Sequence, residues 1–384
     1  MPHTLDHTPQ GSPTPQPDSA ALALPDVHEL ACFRTSPRPC PNQQLVDQLK
    51  PLREWRFLQH GTGEPEAISY ATAVSVIIGT PFVITSADQA RALPKIGPKL
   101  VVKIQEYIDK GFIQESRDVE QLERFKVLRL LTTVHGVGHA LANKLYDDGT
   151  RTLDDLQAML KDRHDILRYM RFHADLQEPV SRTEVESVRD FVRLQVDKVL
   201  PGAHLELCGG YRRGKATSGD IDILITFPHQ DGLERGFLRR LVDRLVKKGL
   251  VPRDGGVLSL TEAGSSRTTW ANRRASLGDT LDKALVVFRH PANGTTRTRD
   301  VWRRVDLVVA AWPHWGPAVL GWTGSTQFER DLRRHAGKLC RLHVHSGGIR
   351  DKETNEHVEA KTERDCFRLL KLEWIPPHLR NADP

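Results

Sequence analysis

Gly209-Gly210-Tyr211-Arg212-Arg213-Gly214-Lys215-Ala216-Thr217-Ser218-Gly219-Asp220-Ile221-Asp222-Ile223-Leu224-Ile225-Thr226-Phe227 is the stretch on which the reading of this chain turns. A glycine-rich, doubly basic turn runs into two aspartates spaced i, i+2, and an apolar β-type run follows. Strand side chains alternate between faces, so Asp220 and Asp222 project to one side. Downstream, Arg303-Arg304-Val305-Asp306-Leu307-Val308-Val309 is another strand-like run with one acidic residue. Taken alone, an Asp-X-Asp at a strand end suits a solvated turn or a capping pair, and paired glycines are common in turns. The glycines, arginines, carboxylates and apolar run together suit hydrated divalent cations that carry a phosphate. Three carboxylates on neighbouring strands, here Asp220, Asp222 and Asp306, can hold two magnesium ions. Such a pair stabilises both the attacking and the leaving oxygen of an in-line phosphoryl displacement.

The rest of the composition fits that chemistry. With 384 residues the chain can build two or more cores, and its formal net charge of +6 suits a polyanionic partner. Cys32, Cys40, Cys208, Cys340 and Cys366 are scattered, with no CxxC pair. A disulfide framework or a zinc site is therefore not expected, and a reducing compartment is. No stretch is apolar enough to span a bilayer and no signal-peptide pattern is present, so a soluble intracellular protein is expected.

Along the chain, residues 1–41 are rich in Pro, Ser, Thr and His and predict a disordered tail. Helical periodicity follows in two blocks, to about Leu200. Strands are predicted at Leu205 to Cys208, Ile221 to Phe227, Ala284 to Phe288 and Val305 to Ala310, with a helix over Gly236 to Lys248 between them. Helices first and a mixed sheet after predict separate helical and α+β domains. Leu93-Pro94-Lys95-Ile96-Gly97-Pro98-Lys99-Leu100 and Thr133-Val134-His135-Gly136-Val137-Gly138-His139-Ala140 resemble each other. Each reads as a glycine hairpin followed by a helix, a form that presents backbone N–H groups to a phosphate without reading bases. A plain turn between helices with a glycine cap is the alternative for one copy; two copies favour DNA backbone binding.

With these pieces in chain order, the sequence from about Asn42 onward resembles the family X DNA polymerases. Four places carry the resemblance: the two hairpins, the Gly209 to Thr226 signature, the Arg304-Val305-Asp306 strand, and Gly321-Trp322-Thr323-Gly324-Ser325. It implies a multidomain α+β fold: a helical lyase-type domain over 42–124, fingers over 125–188 with the second hairpin, a nucleotidyltransferase palm with a mixed sheet over 189–314, and a small α+β thumb over 315–384. It implies that Asp220 and Asp222 share both ions and that Asp306 contacts the ion that activates the primer 3′-hydroxyl. Gly209, Gly210, Arg213 and Gly219 would surround the triphosphate. The glycines allow close backbone approach and the arginine offers a fork matched to phosphate. Gly321 and Trp322 would lie beneath the incoming sugar, with Thr323 and Gly324 forming a cis-type bend. Arg304 would steady the primer end. Arg333, Lys95, Lys99, Tyr70, Gly97, Gly136 and Gly138 would contact DNA, with a monovalent cation at the hairpins.

The resemblance also sorts the chain within the family. Gly321-Trp322 and Gln327-Phe328-Glu329-Arg330-Asp331-Leu332-Arg333-Arg334 look like the mu and terminal-transferase branch, whereas Gly219 stands where that branch carries histidine. A long polar insert between Leu258 and Ala284 resembles a loop that lies near the primer in that branch, and is equally compatible with a plain hairpin loop. Lys103 matches the Schiff-base lysine of a 5′-deoxyribose-phosphate lyase, with Lys95 and Lys99 as the cations that lower its pKa. Glu66 stands where a relative carries a basic phosphate ligand. No BRCT-like pattern precedes the tail. The expectation is a monomeric, nuclear repair polymerase using magnesium or manganese. Its substrates would be gapped or broken DNA ends and dNTP, with rNTP as a further nucleotide, and its partners end-joining proteins. A template-independent transferase, another nucleotidyltransferase of the same superfold and a non-catalytic DNA-end scaffold are the alternatives.

Overall fold

The computed structural model describes residues 25–61, 63–229, 232, 234–262, 281–291 and 299–384. The chain opens with helices and continues into a mixed sheet, as the sequence predicts. The helical part is built on the long helix Gln43–His60, packed against the helices Pro65–Ile78, Gln114–Gln121 and His139–Asp147. One continuous apolar cluster runs from Leu45 to Ile166. The boundary expected at 124/125 therefore falls inside the helix Glu123–Leu131, which shares a core with Gln114–Gln121. The helix Pro98–Lys110 shows the local logic. Leu100, Val101 and Ile104 recur on one face and are buried, and the helix stops at Gly111, whose left-handed φ of 77° suits a residue with no side chain.

Among the described residues ten strands follow in chain order: β1 Val180–Ser181, β2 His204–Leu207, β3 Thr217–Ser218, β4 Ile221–Thr226, β5 Val257–Thr261, β6 Asp282–His290, β7 Val301–Val309, β8 Leu342–His345, β9 Gly348–Asp351 and β10 His357–Val358. The main sheet has the order β2-β4-β7-β6-β5. Only the central β4–β7 pair is parallel, and in its register Asp222 lies opposite Asp306. Ile221, Ile223, Ile225, Val305, Leu307 and Val309 face the helices Arg182–Val199 and Phe237–Lys247. Leu224 and Val308 face the other way, towards the helix Trp315–Thr323. Period-two alternation puts the aspartates on this second face. A three-stranded sheet, β10-β9-β8, completes the C-terminal part.

Two expectations change. Strand β5 was not predicted; it pairs with β6 as an edge strand, so the polar insert lies between two paired strands. Ser259 to Glu262 and Leu281 to Lys283 of that insert are described, and residues 263–280 lie outside the described residues. The tail expected through residue 41 is corrected from residue 25 onward. Leu30, Ala31 and Cys32 are buried against Phe328, Leu332 and Phe367, and Val27 and Cys40 join the helical core. Short apolar groups spread among prolines carry no periodicity, so their burial depends on a partner surface far along the chain. Within the described residues no helix is long and apolar enough to cross a membrane.

Candidate active site

The turn after β2 builds the first half of the site. Gly209 begins a one-turn helix, Gly209–Arg212, with a left-handed φ of 55°. A Cβ there would run into Asp222 Oδ2, so any side chain must displace that carboxylate and adopt a left-handed backbone that favours glycine. The chain then re-enters the sheet at β4, and Asp220, Asp222 and Asp306 come together with ligand oxygens all within 4.8 Å of one another. Arg304, two residues before Asp306 on β7, contacts the Asp220 carboxylate, and its Nε lies 3.5 Å from Asp306 Oδ1.

The electrostatics of this cluster bear on a cation. Burial, then the neighbouring Asp306 charge, pushes the Asp222 carboxyl up to about 7 despite Arg213. Burial also raises Asp306, against Arg304 and Lys283. Asp306 Oδ1 is buried without a hydrogen-bond partner. Two opposed carboxyls with an orphaned oxygen are costly unless a proton or a cation neutralises them. An all-oxygen donor set matches a hard divalent cation.

The cluster opens into a cavity of about 660 Å³. Gly209, Gly210, Arg213, Asp220, Asp222, Gly321, Trp322, Gly324 and Arg333, all singled out by sequence, line it. Gly219 and Thr323 do not. Thr323 is fully buried at the end of its helix. Its Oγ1 accepts from Arg212 Nη1 at 2.7 Å and donates to the Val319 carbonyl, and its own carbonyl accepts from Arg213 Nη1. The cis bond lies at Gly324–Ser325, one peptide beyond the Thr323-Gly324 pair. Arg212, adjacent to the expected phosphate ligand, has a different job. It donates to Glu206 at 3.0 Å and forks onto Glu363 at 3.0 and 2.9 Å, tying the turn to the helix Glu363–Leu369.

Sequence reasoning missed several cavity residues. Lys215 lies inside the quoted signature, and burial brings its pKa down to about 8. Thr326, Glu329 and Arg330 share one face of the helix Thr326–His335 with the expected Arg333, at i, i+3, i+4 and i+7, a spacing legible in the sequence. Arg53 and Phe57 come from the helical part and Asp383 from the C-terminus. Arg53 Nη2 pairs with Asp383 Oδ1 at 3.2 Å, and no local pattern announces this.

A second cluster lies in the helical part. Lys103 pairs with Glu115, and Arg56 lies 3.9 Å from the same carboxylate and 4.2 Å over the Tyr70 ring. The Tyr70 hydroxyl is buried without a hydrogen-bond partner. Burial, then Arg56, pulls the Lys103 ammonium below the ordinary lysine range against Glu106, with Lys99 adding a smaller effect in the same direction. The expectation that Lys95 helps is corrected. Lys95 pairs with Glu29, which also meets Arg334 at 3.5 Å. It does so from a left-handed backbone, φ 63°, at the hairpin position where Gly136 has φ 89°. Glu66 faces solvent and pairs with His60 at 3.5 Å.

Comparison with known proteins agrees with this geometry. A model described as DNA polymerase beta palm matches residues 179–312 and one described as DNA polymerase beta thumb matches 318–381. A helix-hairpin-helix domain model matches 40–112 and the fingers domain of DNA polymerase lambda matches 129–168. The chain is 36% identical over 361 residues to the DNA-directed DNA/RNA polymerase mu of Homo sapiens, covering 92% of this chain and 72% of that protein. It is 30% identical over 387 residues to the DNA nucleotidylexotransferase of Homo sapiens, covering 98% and 75%. For the DNA nucleotidylexotransferase of Xenopus laevis the figures are 29% over 377 residues, 93% and 71%.

Proposed function

The chain belongs to the family X DNA polymerases and is a nucleotidyltransferase, and from that premise we propose how its own residues divide the reaction. Asp220, Asp222 and Asp306 hold the divalent metal that the family uses, as two magnesium or manganese ions. Bound there, the ions would supply charge neutralisation for the attacking and leaving oxygens. The single observation that carries this assignment is the parallel register that sets Asp222 against Asp306, with Asp306 Oδ1 buried without a hydrogen-bond partner and Asp220 alongside.

The remaining residues bind and orient. Gly209 and Gly210 let the backbone approach the triphosphate, and Arg213 supplies a fixed guanidinium beside it. Arg213 is pre-positioned because its Nη1 is anchored on the Thr323 carbonyl, which ties the phosphate end of the cavity to the Gly321-Trp322 wall. A cation held before the substrate arrives costs no reorganisation when charge develops. Gly321 and Trp322 support the sugar. Arg304 steadies the primer end while pairing with Asp220 in the free protein. The two hairpins grip the DNA backbone. The substrates on this reading are gapped or broken DNA ends and dNTP, the setting is nuclear repair, and Lys103 adds 5′-deoxyribose-phosphate lyase activity.

The test is extension of a labelled primer on gapped DNA with single nucleotides and magnesium or manganese. Asp220→Ala, Asp222→Ala and Asp306→Ala each abolish addition while DNA affinity, measured separately, stays within about threefold because phosphate contacts elsewhere dominate it. Extension near the unsubstituted rate in any one of the three overturns the assignment.

A further inference from the structure

We propose that Glu115 is the general base of the lyase site, whose carboxylate takes the C2′ proton of a deoxyribose phosphate held as a Schiff base on Lys103. The inference rests on the reading given above, in which Lys103 is the Schiff-base nucleophile. A Schiff base alone cuts no strand. A proton must first leave the carbon next to it, and a base has to stand beside that carbon.

The fold places one carboxylate there. Lys103 lies on the helix Pro98–Lys110 and Glu115 in the first turn of Gln114–Gln121. The left-handed turn at Gly111 folds the second helix back, so that Lys103 Nζ donates to Glu115 Oε2. Glu106 also acts on Lys103, but it is engaged elsewhere: its Oε1 accepts from Lys110 Nζ at 3.2 Å and from the Gln114 N–H at 3.3 Å. Arg56 lies 3.9 Å from Glu115 Oε1 and over the Tyr70 ring, so it steadies the carboxylate from its other oxygen. The Lys103 side chain is 18% exposed and that of Glu115 is 45% exposed. The nucleophile is thus sheltered, while the base can hand a proton on to solvent.

The step needs no other reactant. The Lys103 amine lone pair attacks the C1′ aldehyde, water leaves, and the protonated imine nitrogen stays where the ammonium was. C2′ is then two bonds from that nitrogen, about 2.5 Å away. A carboxylate in contact with the nitrogen is therefore within reach of the C2′ proton, which the positive imine acidifies. Glu115 takes the proton, and the C–H electron pair becomes the C2′=C3′ double bond. The C3′–O bond breaks, and its electrons leave with the 5′-phosphate of the downstream strand. Water then hydrolyses the imine and frees Lys103. A carboxylate that only held Lys103 in place would act on Schiff-base formation, and strand release would follow it in proportion.

The experiment separates the two steps on DNA bearing a 5′-deoxyribose phosphate, under single turnover with the full chain in excess. Borohydride trapping measures the Schiff base, and release of the 5′-phosphorylated strand measures elimination. In Glu115→Gln the adduct forms at least as fast as in the unsubstituted chain and accumulates, while strand release falls about a hundredfold, the share of a positioned general base. Gap filling by the same variant stays unchanged and reports that it folds. Release and trapping that keep the same ratio as in the unsubstituted chain overturn the proposal. Should Glu115→Gln not fold, Glu115→Asp decides. It keeps the charge but withdraws it by one methylene, so release relative to trapping falls roughly tenfold or more, and an unchanged ratio overturns the proposal. An unsubstituted chain that traps no adduct counts instead against the lyase reading of Lys103, and the proposal falls with it.

Discussion

Lys103 shows how much the chemistry of one residue depends on neighbours the sequence does not place beside it. As a Schiff-base nucleophile it must lose its proton and attack an aldehyde. Burial and the Arg56 charge favour the neutral amine and Glu106 works the other way, while the Glu115 carboxylate pairs with the ammonium. Twelve positions separate Lys103 from Glu115, and the turn at Gly111 brings the two helices together. If Lys103 is the lyase nucleophile, borohydride traps a covalent adduct with DNA bearing a 5′-deoxyribose phosphate. Lys103→Ala then loses the adduct and keeps gap filling. Glu115→Gln removes the opposing carboxylate and raises the trapping rate at neutral pH by roughly threefold or more, since one pKa unit is tenfold in free amine. No trapping in the unsubstituted chain, or equal trapping without Lys103, removes the assignment.

At the scale of elements, two glycines carry the argument because each is crowded from a different direction. Gly209 is closed off by Asp222 itself. Gly209→Ala must push that carboxylate out of its place in the aspartate cluster, and a displacement near 1 Å at a reacting centre costs about a hundredfold in rate. The expected result is a folded protein, by circular dichroism and melting temperature, with kcat reduced by that order; activity within twofold would show that Asp222 relaxes harmlessly. Gly321 is crowded from behind. A Cβ there would come within 3.0 Å of the Ser346 Cβ, in the turn between β8 and β9. If Gly321 stands beside the incoming sugar as proposed, its missing side chain lowers the wall against a 2′-hydroxyl, and kcat/KM for rNTP should approach that for dNTP. Gly321→Tyr alone confounds wall height with a shifted turn. The informative comparison is Gly321→Tyr with Ser346→Gly, which should restore dNTP preference at least tenfold, because steric exclusion rejects an added hydroxyl better than a missing bond does. A dNTP-selective unsubstituted chain whose ratio does not move in the double variant would show that Gly321 does not set sugar choice.

Over the whole molecule, the parts legible in advance are those whose information is local. The Gly209 to Thr226 turn and strand, β7 and the helix Phe237–Lys247 follow from period and turn chemistry within a few residues, and the aspartate cluster follows from β4 and β7 lying side by side. What was not legible is set by contacts between distant segments: Arg53 reaching Asp383, Glu115 at Lys103, and the ordered strap before residue 42. That strap joins the two ends of the chain. Ser36 N–H donates to the Leu379 carbonyl at 2.7 Å, and Asn381 N–H donates to the Ser36 carbonyl at 3.0 Å. Ala31 N–H donates to Asp331 at 2.9 Å, and the buried Arg34 donates to Ser75 Oγ at 2.8 Å. Directly between the helical part and the C-terminal part stand Arg53–Asp383 and a long Gln327–Thr72 contact of 3.5 Å, and part-exposed polar pairs of this kind contribute little. The strap therefore adds more hydrogen bonds between these two parts than their direct polar pairs do. Removing residues 1–41 should raise the radius of gyration in solution scattering and leave the intrinsic rate of nucleotide addition intact. If DNA binding requires the arrangement the strap holds, and that arrangement falls to about a tenth of the population, apparent affinity for gapped DNA weakens about tenfold. Adding Arg53→Ala to the truncation should widen the molecule further. Scattering and affinity unchanged by the truncation would mean that the helical and C-terminal parts hold together without the strap.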